Sequence, residues 1–137
     1  MKANVNQIVN AYEALESIET KSLEVEDIMA ILSVRRALRP IKEDFAAFMK
    51  DASEKFKPAN IDELVEIEKR WDDATEDEKV AHNKDVAAYH KAIADAVNAE
   101  YANDIEIDAK LPDEVAAKVA KIKEWTIEQL DVLSILM

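Results

Sequence analysis

Any chemistry in this chain has to start from two histidines and a surplus of carboxylates. His82 lies four residues after Glu78 and three before Asp85, so a helix would turn all three to one face, where they could hold a divalent cation. Carboxylate metal sites in helical bundles, however, use Glu-x-x-His on two helices. The residues three before His82 and His90 are Lys79 and Ala87, so that pattern fails twice. Histidines beside acids are common on solvated helix faces, and that is the reading adopted for both. Serine, histidine and aspartate all occur, but the chain has no glycine with which to build the strained elbow that presents a nucleophilic serine. Among 30 acidic residues, chance carboxylate pairs single out no acid–base couple. The expectation is a non-enzymatic protein with no catalytic residue, no metal and no cofactor.

Three other groupings remain. Arg35, Arg36 and Arg39, with Lys42, form the one dense basic cluster; its plain reading is neutralisation by acids nearby, Glu43 among them, and its functional reading is a phosphate or acidic partner. Between Ile61 and Val80 nine acids face three bases, and Asp62, Glu63, Glu66, Asp72, Asp73, Glu76 and Asp77 make a candidate acidic surface. Such a run is most simply a solvated face around a loop. The alternative is a surface that occupies the nucleic-acid or basic-peptide site of a partner. Finally, Leu130, Leu133, Leu136 and Met137 belong to an apolar C-terminal run that must dock on a core or on another subunit, and they form the candidate interface.

The elements that position these groups follow from composition. Average glycine usage is about 7%, so a chain of 137 residues without glycine lacks P-loops, dinucleotide fingerprints and the usual tight hairpin turns. Helices tolerate that absence best. No cysteine is present, which removes thiolate sites and disulfides. The length suits a single helical domain over 1–137, with an acidic connecting segment over about 57–79. The net charge of −12 repels nucleic acid and anionic membrane, so direct binding to either is not expected. Neither a leader following Met1 nor an apolar run of membrane length is seen, and the expectation is a soluble, cytoplasmic protein.

Val5, Ile8, Val9, Tyr12, Leu15 and Ile18 form the stripe of a first amphipathic helix, with Asn4 and Gln7 as a reciprocal cap. Ser22 is a cap candidate for a long second helix, in which Ile31, Val34, Leu38, Ile41, Phe45 and Phe48 make a packing seam across Pro40. Because the seam keeps its phase, Pro40 is expected to kink rather than end the helix. Lys57-Pro58-Ala59-Asn60 reads as a linker, with Asn60 capping a short helix. Thr75 and Glu78 form a capping box opening a long helix that Asn103 would stop in the left-handed conformation. Residues 105–108 alternate like a short strand. Pro112 opens another helix with Val115, Val119 and Ile122 as its stripe, and Thr126 with Gln129 opens the last. The fold expected is all-α: a bundle centred on an antiparallel hairpin of the two long helices, with an extended stretch near 105–108.

The run Val5-Asn6-Gln7-Ile8-Val9-Asn10-Ala11-Tyr12-Glu13-Ala14-Leu15, then Lys21-Ser22-Leu23, Leu38-Arg39-Pro40, Ile105-Glu106-Ile107 and Ile127-Glu128-Gln129-Leu130-Asp131-Val132-Leu133, resembles a family of small phage and prophage proteins of unknown function. The resemblance implies a mainly helical accessory or assembly factor in a bacterial host cell or associated with the virion. Such a factor would act through protein contacts and self-associate. The resemblance carries over no catalytic residues and does not extend to the acidic segment.

Overall fold

Asn4 opens the first helix by exchanging two hydrogen bonds with Gln7: its side chain accepts the Gln7 amide at 2.8 Å, and the Gln7 side chain accepts the Asn4 amide at 2.9 Å. The structure, a computed structural model, describes residues 2–137; the leader reading begins on Met1, outside the described residues. Helices α1 (Val5–Glu16), α2 (Val25–Lys55), α3 (Ile61–Lys69), α4 (Glu76–Tyr101), α5 (Asp113–Lys121) and α6 (Ile127–Leu133) carry most of the chain. Two short strands, β1 (Lys2–Asn4) and β2 (Asp104–Glu106), and 3-10 turns at Trp71–Asp73 and Ser134–Leu136 complete it. At 74% helix with one two-stranded ribbon, the fold is all-α.

Where a single domain was expected, the chain divides into two compact units, residues 2–46 with Glu100–Met137, and Ala47–Ala99. The first holds the main core. Every member of the expected α1 stripe is buried, and Ile31, Val34 and Leu38 of α2, Val115 and Val119 of α5, and Leu133, Ile135 and Leu136 close over it. The strand-like stretch finds its partner in the first residues: β1 and β2 run antiparallel, Ala3 opposite Ile105. The Val5 amide donates to the Asn103 carbonyl at 3.0 Å, and the Leu111 amide donates to the Leu136 carbonyl at 2.7 Å. Both ends of this unit are thus laced by backbone hydrogen bonds as well as by apolar burial.

α2 passes through Pro40 without a break, and Ile31, Val34, Leu38 and Phe45 of the seam are buried. Two expected caps and one expected stop are replaced by other devices. α2 begins at Val25 rather than after Ser22, because the Asp27 carboxylate accepts the Glu24 amide at 3.2 Å. Asn60 makes no side-chain cap; its amide donates to the Asp85 carboxylate at 3.1 Å instead. Asn103 is not left-handed, since no described residue has positive φ. It ends α4 by donating its backbone amide to the Glu100 carbonyl and its side-chain amide to the Glu100 carboxylate.

In the second unit the buried apolar residues are Ala52, Leu64 and Ala74, none of them as completely enclosed as Ile8 or Leu38 of the first. Along α4 only His82 is fully buried, and Val86, Tyr89, Ile93 and Val97 are half-exposed. The expectation put the hairpin of long helices at the centre of the fold. The alanine-rich α4 has too few large side chains to form that centre, and the densest burial gathers around α1 instead.

Candidate functional site

α3, the 3-10 turn and the start of α4 bring the sequence-predicted acids together. Asp62, Glu63 and Glu66 on α3, Asp72 and Asp73 in the turn, and Glu76 and Asp77 in the first turn of α4 are all exposed. Glu66 and Glu76 make only long ion pairs of 3.9 Å, with Arg70 and Lys79. Of the three bases in this segment, Lys69 is exposed, and Arg70 and Lys79 each have a second partner. Arg70 donates to the Glu78 carboxylate, and Lys79 lies 5.5 Å from the centre of the Trp71 ring. Glu78 also closes the predicted capping box with Thr75, at 3.2 Å in each direction. Arg70 and the Thr75 amide hold the Glu78 carboxyl down at about 2, so it stays ionised in ordinary buffers.

Behind this face His82 is 7% exposed. Its Nε2 lies 2.9 Å from the Glu68 carboxylate and its Nδ1 3.2 Å from the Asn83 side chain, while the Trp71 ring meets it edge-on at 5.1 Å. The Glu68 carboxylate, and then Asn83, raise its pKa above 6.5. The Glu78, His82 and Asp85 trio that could have gripped a cation is thereby split: Glu78 goes to Arg70, His82 to Glu68, and Asp85 to Asn60. Among the described residues no group of three metal-binding side chains converges.

The basic cluster packs against α1. Arg39 donates its Nε hydrogen to the Tyr12 hydroxyl at 3.2 Å, Lys42 reaches Glu16 at 2.8 Å, and Arg35 lies 4.0 Å from Glu16. The Lys42 ammonium and the Arg35 guanidinium also stand over the Tyr12 ring, at 4.6 Å and 5.7 Å from its centre. Arg39, with Arg35, lowers the Tyr12 hydroxyl pKa from 10.0 despite burial. Glu16 across the helix pair takes Lys42 and Arg35, while Glu43, the expected neighbour, lies close enough to raise the Arg39 pKa without closing an ion pair among the described residues. Arg36 points to solvent. Sequence reasoning missed Tyr12 and Glu16, although their four-residue step matches that of Arg35 and Arg39.

At the C-terminus, Leu133 and Leu136 are completely buried in the core, whereas Leu130 and Met137 are 40% and 37% exposed. The candidate interface is thus divided. α6 packs against α1, and Leu133 at its end and Leu136 in the 3-10 turn that follows are unavailable to another subunit because they fill their own unit. Ile127, which was not singled out, is the most exposed large apolar side chain at 83%. Asn10, Glu13, Ala14, Ser17, Glu128, Gln129 and Val132 line a cleft of about 260 Å³ between α1 and α6.

Compared with protein-family models, curated proteins and solved structures, the chain matches none. No helix among the described residues is long and apolar enough to cross a membrane.

Proposed function

We propose that this chain is a non-enzymatic interaction protein, an accessory or assembly factor of the phage-like class its sequence resembles, and that it works by presenting an acidic face to a basic protein partner. One observation carries this reading: Asp62, Glu63, Glu66, Asp72, Asp73, Glu76 and Asp77 stand exposed on one short stretch of the 47–99 unit, outnumbering its three bases, of which Arg70 makes its shortest contact with Glu78. A carboxylate array that outnumbers its local cations attracts a basic surface from a distance, and that attraction is weakened by salt. Such a face could also displace nucleic acid from a basic protein by occupying the same site.

The test is calorimetric titration with a short oligolysine peptide at low and at physiological salt. The comparison uses a variant with Asp62, Glu63, Glu66, Asp73 and Glu76 changed to their amides. A control neutralises as many exposed acids outside residues 61–78. Binding that is lost in the first variant, kept in the control and reduced by salt supports the reading; equal losses in both would reduce the effect to net charge and sink it.

A second reading, self-association, is favoured by Ile127 and Leu130, exposed apolar neighbours one turn apart on α6. Molar mass after size exclusion of the native chain and of an Ile127→Ser/Leu130→Ser variant tests it. A native oligomer that becomes monomeric in the variant supports it, and a native monomer ends it.

A further inference from the structure

Close to the acidic stretch in sequence, the 47–99 unit carries a cleft whose chemistry is more specific than charge. Phe56, Pro58, Asp85, Ala88, Tyr89 and Ala92 line a space of about 320 Å³ where the end of α2 and the turn into α3 meet α4. Two aromatic rings, a proline and two alanines make most of this lining apolar. Ala88 and Ala92 are one turn apart on α4, and their small side chains leave room that leucines would fill.

The polar element is Asp85. It is half-buried, and its Oδ2 accepts a hydrogen bond from the Asn60 side-chain amide at 3.1 Å. An amide is neutral, so it orients the carboxylate without compensating its charge. Among the described residues Asp85 forms no ion pair with lysine or arginine, although Glu16, Glu66, Glu76, Glu78, Asp27 and Asp95 each do. The Tyr89 hydroxyl is already committed, donating to the Ser53 carbonyl at 3.0 Å, which anchors the side chain and leaves the ring as contact surface. The Phe56 ring accepts cations in this molecule: the Lys55 ammonium sits 5.5 Å from its centre.

An apolar, aromatic lining with one oriented carboxylate that no lysine or arginine pairs among the described residues suits a ligand with an aliphatic stem and a cationic head. Lysine and arginine side chains have that form, burying their methylenes while the charged end meets a carboxylate or a ring face. An anionic ligand would be repelled by Asp85, and a purely apolar one would desolvate its charge further without adding a cation. Resting on the basic-partner reading, we infer that this cleft receives one lysine or arginine side chain of the partner, anchoring a segment that the exposed acids attract.

The test uses the full chain, with amide chemical shifts followed by NMR during titration with argininamide and, separately, with a short oligolysine peptide. Argininamide should shift Ala59, Ala88, Tyr89 and Ala92 in particular. Asp85→Asn, which still offers an oxygen to Asn60, should weaken argininamide binding about tenfold, the loss of one charge-assisted hydrogen bond. Ala88→Leu should weaken it comparably by filling the space, and as Ala88 is exposed this second variant guards against misfolding at Asp85. Circular dichroism should be unchanged in both. If oligolysine shifts only the α3 acids and both variants bind as the native chain does, the cleft inference falls while the acidic-face reading stands. If oligolysine does not bind at all, both fall.

Discussion

Asp27 and Lys118, 91 positions apart in the chain, meet at 2.7 Å and tie the start of α2 to α5. The carboxylate is 5% exposed, and the lysine ammonium, with the Glu24 amide, holds its carboxyl below the ordinary 3.8. A depressed carboxyl stabilises the fold above its unfolded pKa, and that contribution is lost as pH falls through the lower folded value. Asp27→Asn should lower the urea midpoint near neutral pH and flatten its decline below about pH 4, Glu78 supplying what slope remains. Urea titrations at stepped pH check this; an unaltered acid limb would show that the pair is uncoupled from folding.

His82 works in the opposite direction. Its pKa is raised above 6.5 by Glu68 and Asn83, so the stabilisation is complete below 6.5 and disappears as pH rises through the folded value. The urea midpoint should therefore fall as pH rises above 6.5 and through the folded value, and Glu68→Gln, at an exposed position, should remove most of that fall. Histidine ring shifts give an independent measurement: His82 should titrate above 6.5 in the native chain and move down in Glu68→Gln.

Leu133 and Leu130 are three positions apart on α6 and should respond very differently. Leu133 is completely buried, so Leu133→Ala should cost about 2–5 kcal/mol by losing apolar burial and leaving a cavity. Leu130→Ala, at a side chain 40% exposed, should stay within about 1 kcal/mol. Chemical denaturation of both variants decides. Equal effects would mean that α6 does not dock as the structure has it.

The two asparagines that both look like caps separate in the same way. Asn4→Ala should destabilise by about 0.5–2 kcal/mol, since it removes the acceptor for the Gln7 amide. Asn60→Asp would have been harmless for a cap, but here it sets a second carboxylate against Asp85. The Asn60→Asp chain should melt below the native one, and more so at low salt; a gain in stability would restore the capping role.

The α1 stripe, the Asn4, Thr75 and Thr126 boxes and the continuity of α2 across Pro40 were all legible in the sequence, because each is set by residues within one or two turns. The pairing of Ala3 with Ile105, the Tyr12 cage and the Asp85–Asn60 bond were not, because each joins distant segments that periodicity treats separately. The acidic face could be listed by composition alone. How its acids share the local cations could not, since that depends on where Arg70 and Lys79 turn. The apolar C-terminal run offered two destinations, and only the burial of Leu133 and Leu136 chose the core for them.

The rings of Phe45 and Tyr101 stack 4.7 Å apart, closing the main unit where the chain leaves α1's core and where it returns. Everything from Ala47 to Ala99 is thus an excursion whose two ends are stapled side by side.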